Sequence, residues 1–286
     1  MSVEKTAILK EAIDKKVYLT EYAAKALCDE VNMLWDDFLF ALIEVIRWRA
    51  VKPLSNYHVG AIAIASSGNL YFGTSLDFVS TATIHNLHAE QSAVSNAYTH
   101  GENKIDTIVV NAAPCGFCRQ FLTELGKDAE ELTLIFPPNI KTTLKELLPH
   151  PFGPWDLGHD GGMLTSPVQD LQLAKADNDP VIAAALKAAC RSYSATWHSY
   201  SGVAIQAKDG KIFSGSFFEN VTENPVLSPL MAALLQLTLS QYKYADIERV
   251  VLVESSDNQI KQGSIAQDLL NVIADNIDLE IYIAAL

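Results

Sequence analysis

The sequence predicts a duplicated α/β protein: two three-layer α/β/α units behind a small helical N-terminal domain. Three observations carry that expectation. Sliding the chain against itself by 142 positions places Gly60 on Gly202, Gly68 on Gly210 and Gly73 on Gly215 without a gap. In each copy two short apolar runs flank a turn, and a helical period and a buried-type strand follow, the alternation that builds layered α/β units. The first 48 residues read as helices. A chain of 286 residues has room for two ordinary domains or one large one.

The elements follow in order. Thr20 is placed to cap a helix over 21–31, and Asp36 precedes an amphipathic helix over 37–49. Gly68-Asn69 is a hairpin turn between strands at 59–65 and 69–74, and Asp209-Gly210 is its counterpart between 201–207 and 211–216. The helical period over 84–97 meets that over 226–239. The apolar strand at 105–111 meets 247–253, and the helix over 37–49 meets 179–191. Residues 115–125 read as helix and 132–136 as a strand. The stretch 149–178 is rich in Pro, Gly and Asp and reads as a linker. Asp179-Pro180 then opens the next helix as N-cap and first-turn proline. The expected divisions are therefore 1–48, 49–148, 149–178 and 179–286.

Composition bounds the function. With 49% hydrophobic and 19% charged residues, a sizeable core is expected. A formal net charge of −13 argues against nucleic acid as partner, because polyanion binding requires basic stripes. A small neutral ligand is compatible with that charge. No apolar run of about 18 residues suggests a membrane span. Of four cysteines, Cys115 and Cys118 share one C-x-x-C, and Cys28 and Cys190 stand alone as core residues. That is no disulfide framework, and a reduced cytoplasmic protein is expected.

Two motifs carry chemistry: His88-Ala89-Glu90 and, 24 residues on, Pro114-Cys115-Gly116-Phe117-Cys118. His-x-Glu followed by Pro-Cys-x-x-Cys is the signature of the zinc deaminases. His88, Cys115 and Cys118 supply three zinc ligands and leave a fourth position for water, as catalytic zinc requires. Glu90 is the carboxylate beside that water, placed to take its proton. On a helix two residues are about 200° apart, so His88 and Glu90 reach one site only if His88 stands at the helix start. His85 shares a helical face with His88 and is a weaker ligand candidate. The same 142-residue offset puts Leu230, Ala232, Asp257 and Ile260 opposite His88, Glu90, Cys115 and Cys118. The first copy is thus the chemical one, and the second is structural or walls an active site. Lysines and arginines form no cluster near the motifs, which counts against a phosphorylated substrate.

Over essentially its whole length the chain resembles the long, homodimeric bacterial cytidine deaminases. The resemblance is carried by Pro53-Leu54-Ser55-Asn56-Tyr57, Val59-Gly60-Ala61, Tyr71-Phe72-Gly73-Thr74, Leu87–Ala93 and Pro114–Phe121, and beyond the motifs by Phe152–Leu157, Ser201–Ala204 and Gly215–Asn220. It implies a duplicated cytidine-deaminase-like fold whose second copy, 179–286, lacks a zinc site. It implies one zinc per chain and hydrolytic deamination of cytidine and deoxycytidine to uridine and deoxyuridine, with release of ammonia, in pyrimidine salvage. It also implies a homodimer with shared active sites. Phe152 stands at the position of the aromatic that the partner chain contributes, and Tyr57 where a family Phe stacks on the base. The family usually carries Asn-x-Glu, which contacts the ribose 3′-hydroxyl, where this chain has Ser75-Leu76-Asp77. Both side chains are shorter, so shifted sugar recognition is expected. Two other readings stay open: a deaminase of a different or modified pyrimidine nucleoside, and a non-catalytic zinc-binding scaffold. The retained Glu90 speaks against the scaffold.

Overall fold

A computed structural model describes residues 2–175 and 177–286. Three helices open the chain: α1 (Val3–Ala12), α2 (Glu21–Glu30) and α3 (Trp35–Ile46), with the short β1 (Tyr18–Leu19) between the first two. Thr20 caps α2 by accepting from the Ala23 amide, as its sequence position predicts. Helix α3 differs from expectation. It starts at Trp35, its N-cap is Leu34 with no side-chain cap, and Asp36 lies in its first turn. A buried apolar face fixes it there: Phe38, Leu42 and Ile46 are fully buried.

The first α/β copy contains β2 (Gly60–Ala65), β3 (Leu70–Thr74), α4 (Ala89–Thr99), β4 (Ile105–Val110), α5 (Gly116–Leu122), β5 (Thr133–Phe136), β6 (Ile140–Thr143) and the single turn α6 (Leu144–Leu147). Its six strands run in the order β1-β3-β2-β4-β5-β6, with only β4 and β5 parallel. Residues 149–178 are more ordered than a plain linker. Met163 and Leu171 are buried there, and β7 (Gln172–Leu173) joins the second sheet. The second copy contains α7 (Pro180–Cys190), β8 (Ser201–Ala207), β9 (Ile212–Ser216), α8 (Pro229–Leu239), β10 (Ile247–Ser255), α9 (Gly263–Ile273) and β11 (Leu279–Ala285). Asp179 caps α7 through the amides of Val181 and Ile182, with Pro180 in the first turn. The second sheet runs β7-β11-β10-β8-β9, again with one parallel pair, β10 and β11.

Glycines set how closely helices lie on each sheet. A β-carbon on Gly73 would stand 2.3 Å from the Ala89 carbonyl oxygen, and one on Gly215 2.5 Å from that of Pro229. These contacts hold α4 on β3 and α8 on β9. Gly60 and Gly202 face the other way, against the end of α3 and against α7. Each sheet is therefore sandwiched between helical layers, an α/β/α arrangement repeated in the chain.

The same contacts correct the ungapped register. Val51–Leu76 and Tyr193–Phe218 are equivalent isolated bridges at the 142-residue offset, but Leu76–Leu87 is matched by Phe218–Leu227. The second copy has lost two residues in this loop and regains them after α8. On the helices the equivalents are therefore His88 and Ser228, Glu90 and Leu230. The loop after β10 is also longer, and the N-cap of α9 is Gln262 where that of α5 is Cys115. The counterpart of Cys118 is then Ile265. A sequence comparison at fixed offset misses such compensating changes, because loops absorb length while packed elements hold their spacing.

The two copies meet through α4 and α8. Gln236 donates to Asn96 across the junction at 3.3 Å, from equivalent places on the two helices. Arg49 donates to the Leu239 carbonyl and Arg191 to the Tyr98 carbonyl, so each copy supplies a guanidinium to the C-terminal turn of the other's helix. Beside this contact Glu124 is fully buried, accepting from the Tyr193 hydroxyl and the Val221 amide, both at 2.7 Å. Burial, with the Glu219 carboxylate adding to it, pushes Glu124 up to about 7. The folded chain thus holds this proton more tightly than the unfolded chain. The stabilisation is complete below about pH 4.5 and is lost as pH rises through about 7, a difference worth up to ~3 kcal/mol. Glu124→Gln copies the protonated form and is expected to flatten the fall in stability between pH 5 and 7.5 relative to wild type. Urea midpoints at the two pH values measure this, and equal falls in both proteins would refute it.

Candidate metal centre

Two helix N-termini converge on the site. His88 is the N-cap of α4, in extended conformation at φ −87° and ψ 152°, and Cys115 is the N-cap of α5. His88 thus stands at the helix start, while Glu90 lies inside the first turn, so both reach the same end of α4. Cys118 sits one turn into α5 and is fully buried. The Sγ atoms of Cys115 and Cys118 lie 3.5 and 3.3 Å from His88 Nδ1, and 3.7 Å from each other. Tetrahedral zinc, with Zn–S of about 2.3 Å and Zn–N of about 2.0 Å, requires N···S of about 3.5 Å and S···S of about 3.8 Å. The donor set and its spacing fit that ion. Among the described residues this is the one cluster of three or more His, Cys, Asp or Glu side chains able to hold a metal. His85 lies outside it, buried in the turn Thr83–His85, where burial lowers its pKa.

The electrostatics favour a thiolate on Cys115, whereas its hydrogen bond with Cys115 and its burial push the Cys118 thiol up. Hydrogen bonds with Cys118 and with His88 hold Cys115 down to about 3. His88 is held above its ordinary value, chiefly by its hydrogen bond to Cys115, while burial and the nearby Lys52 ammonium oppose this. Glu90 is buried, and that burial pushes its carboxyl upward.

The rim is built from three short segments. The Val51–Leu76 and Leu76–Leu87 bridges set 51, 76 and 87 side by side. Leu76 and Leu87 turn inward and are buried. By alternation Ser75 and Asp77 share the opposite face with His88. Neither points freely. Ser75 Oγ lies 3.3 Å from the Val59 amide and 3.4 Å from its carbonyl. Asp77 accepts from Ser55, through both amide and hydroxyl, and forms a buried ion pair with Lys52. Lys52 is the site residue that sequence reasoning missed. It lies 36 residues before His88, and only the bridge at Val51 brings it there. Tyr57 and Phe152 are both exposed, at 58% and 46%, and the Phe152 carbonyl accepts from Gln120.

In the second copy this place holds Ser228, Leu230, Gln262 and Ile265. Each ligand and the carboxylate are gone, although the counterparts differ from those at fixed offset. A cavity of about 690 Å³ remains there, lined in part by Trp197, Ser228, Gln262 and Ile265.

Known proteins agree with this construction. Two models described as the cytidine and deoxycytidylate deaminase zinc-binding region match residues 33–132 and 144–267, one on each copy. A cytidine deaminase from Aeromonas hydrophila is 40% identical over 240 residues, covering 84% of this chain and 80% of its own. One from Shewanella oneidensis is 38% identical over 249 residues, covering 87% and 83%. One from Proteus mirabilis is 36% identical over 273 residues, covering 93% and 92%. With the His88–Cys115–Cys118 cluster in the first copy and similarity extending through both, the chain belongs to the cytidine and deoxycytidylate deaminase family.

Proposed function

We propose that this chain is a zinc-dependent cytidine deaminase, converting cytidine and deoxycytidine with water into uridine and deoxyuridine plus ammonia. One observation carries the reading: a buried carboxylate, Glu90, lies on the same helix end as a three-donor zinc site. His88, Cys115 and Cys118 would hold the zinc, which would supply the acidity that makes water nucleophilic near neutral pH. A Glu90 carboxyl oxygen would accept one proton of the water and pass it to the pyrimidine ring nitrogen as the water oxygen bonds to the carbon bearing the amine; it would then take the remaining hydroxyl proton and deliver it to the amine, which leaves as ammonia when the carbon–nitrogen bond breaks. The buried setting keeps bulk water from competing for these protons. Loss of the cytidine absorbance with the purified protein, with about one zinc per chain in the same sample, is the expected result. One zinc without turnover of cytidine or deoxycytidine would leave the scaffold reading or another pyrimidine nucleoside.

A homodimer with shared sites belongs to the same proposal. Tyr57 and Phe152 expose large aromatic faces in the single chain, and Leu54 and Ile84 are exposed as well. We assign Tyr57 to stacking on the base and Phe152 to closing the partner's site. Chains carrying Glu90→Gln and chains carrying Phe152→Ala, each impaired alone, are then expected to regain activity when co-assembled. Every hybrid dimer has one site with both native residues. Absence of recovery in a verified mixed dimer would place Phe152 in its own chain's site or in none.

The unit divisions at 1–48, 49–148, 149–178 and 179–286 go with this reading, with α3 serving the first α/β unit as a packing layer. Cytoplasmic residence is inferred from four free cysteines. No helix among the described residues is long and apolar enough to cross a membrane.

A further inference from the structure

The inert copy serves as an internal control for the active one. In the second copy Glu219 stands at the position of Asp77. Its carboxylate accepts from the Thr196 and Trp197 amides, at 2.8 and 3.0 Å, and from the Ser194 hydroxyl at 2.6 Å. Ser194 and Trp197 are the equivalents of Lys52 and Ser55. A carboxylate clamping this loop is therefore a feature of the scaffold, present where no metal ligand remains. What the active copy adds is a lysine. Lys52 is 12% exposed at its side chain and Asp77 only 4%, and their ion pair is the most buried in the chain among the described residues. A lysine is costly in such a place, because desolvation cancels most of the pairing energy. A serine does the structural work in the second copy.

We propose that Lys52 is a specificity-determining residue that donates a hydrogen bond to a sugar hydroxyl of the nucleoside. This rests on the deaminase reading. The ammonium has three donors, and Asp77 is the acceptor it meets in this chain. Two donors remain, and Asp77, which the ammonium meets, shares its face with His88 and Ser75. With the reacting carbon of the base at the metal, the part of a nucleoside that extends along the rim is its sugar. Asp77 cancels the lysine's charge and holds its stem, so the pair offers directed donors with no net positive charge. That chemistry suits a neutral hydroxyl and gives a phosphate little attraction. Ser75 is turned onto Val59, which leaves the lysine as the strongest donor at this edge.

The test uses the zinc-loaded wild type, Lys52→Met, and the double variant Lys52→Met/Asp77→Asn, which removes both charges and guards against an unpaired buried carboxylate. Zinc content and thermal midpoint are recorded for each. The substrates are cytidine, its 2′-, 3′- and 5′-deoxy analogues, and cytidine 5′-monophosphate. Both variants are expected to lose about 10-fold or more in kcat/KM on cytidine, mostly through KM. One deoxy analogue, the one lacking the contacted hydroxyl, is expected to be insensitive to the substitution. Equal losses on every analogue would refute the contact, as would no loss on any. A wild-type preference for the monophosphate that disappears in Lys52→Met would overturn it in favour of a phosphate site. A wild type with zinc but without activity on cytidine or any analogue would instead overturn the deaminase reading.

Discussion

Glu90→Gln is expected to lower kcat by about 10²–10⁴-fold while zinc stays near one per chain. The two effects separate because Glu90 lies outside the donor cluster of His88, Cys115 and Cys118. Glutamine keeps the size of the side chain and removes its capacity to carry a proton. It also removes a carboxyl that burial already makes costly to ionise, so stability is expected to hold or rise. Turnover of cytidine, metal content and thermal midpoint measured on one preparation decide the matter. Full activity in the variant would remove Glu90 from the mechanism. Loss of zinc together with activity would make it a structural support of the centre.

The second large effect concerns packing. Gly73→Ala places a methyl 2.3 Å from the Ala89 carbonyl oxygen and 2.5 Å from the Ala93 amide nitrogen. Backbone atoms cannot swing aside, so α4 must shift off β3. Overpacking of this kind costs about 1–3 kcal/mol. Ala89 lies between His88 and Glu90, so the shift also displaces a residue of the metal cluster and the proposed proton carrier, and activity is expected to fall with stability. Gly215→Ala makes the matching clash in the second copy, 2.3 Å from the Ala233 amide nitrogen. It is expected to lose similar stability while keeping zinc. Gly161→Ala, whose new methyl would meet only Thr165 Oγ1 at 3.8 Å, is the control and is expected to stay within ~0.5 kcal/mol. Urea midpoints with zinc content read all three. If Gly73→Ala and Gly215→Ala proved as mild as the control, the glycines would not be setting the helix–sheet distance.

Local chemistry made much of this legible in the chain itself. Thr20 and Asp179-Pro180 fix helix starts through caps that need only neighbouring amides. Gly68 and Gly210 take φ of +82° and +86° in matching hairpin turns. The helix over 37–49 was harder, because Asp36 is a good cap by type but the buried Phe38–Leu42–Ile46 face pulls the start back to Trp35. The register of the duplication was right for the strands and wrong for α8 and α9. Paired strands keep step through their ladder, and loops between elements change length without cost to the core.

The sequence by itself determined the chemistry. A histidine, a glutamate two residues on and a Cys-x-x-Cys point to a metal, its ligands and the carboxylate proposed to carry protons, because those groups have few other joint uses. Duplication and the emptied second copy were also readable, since glycines and apolar periods survive when side-chain chemistry does not. Only the tertiary structure decided which residues surround that chemistry. Lys52 reaches the rim through a bridge at Val51 rather than through sequence proximity, and Asp77 and Ser75 are occupied by protein partners. Motif residues are chosen by bond chemistry, which acts at short range along the chain. Rim residues are chosen by how separate segments pack, and that is settled only when the sheet and its fringe are formed.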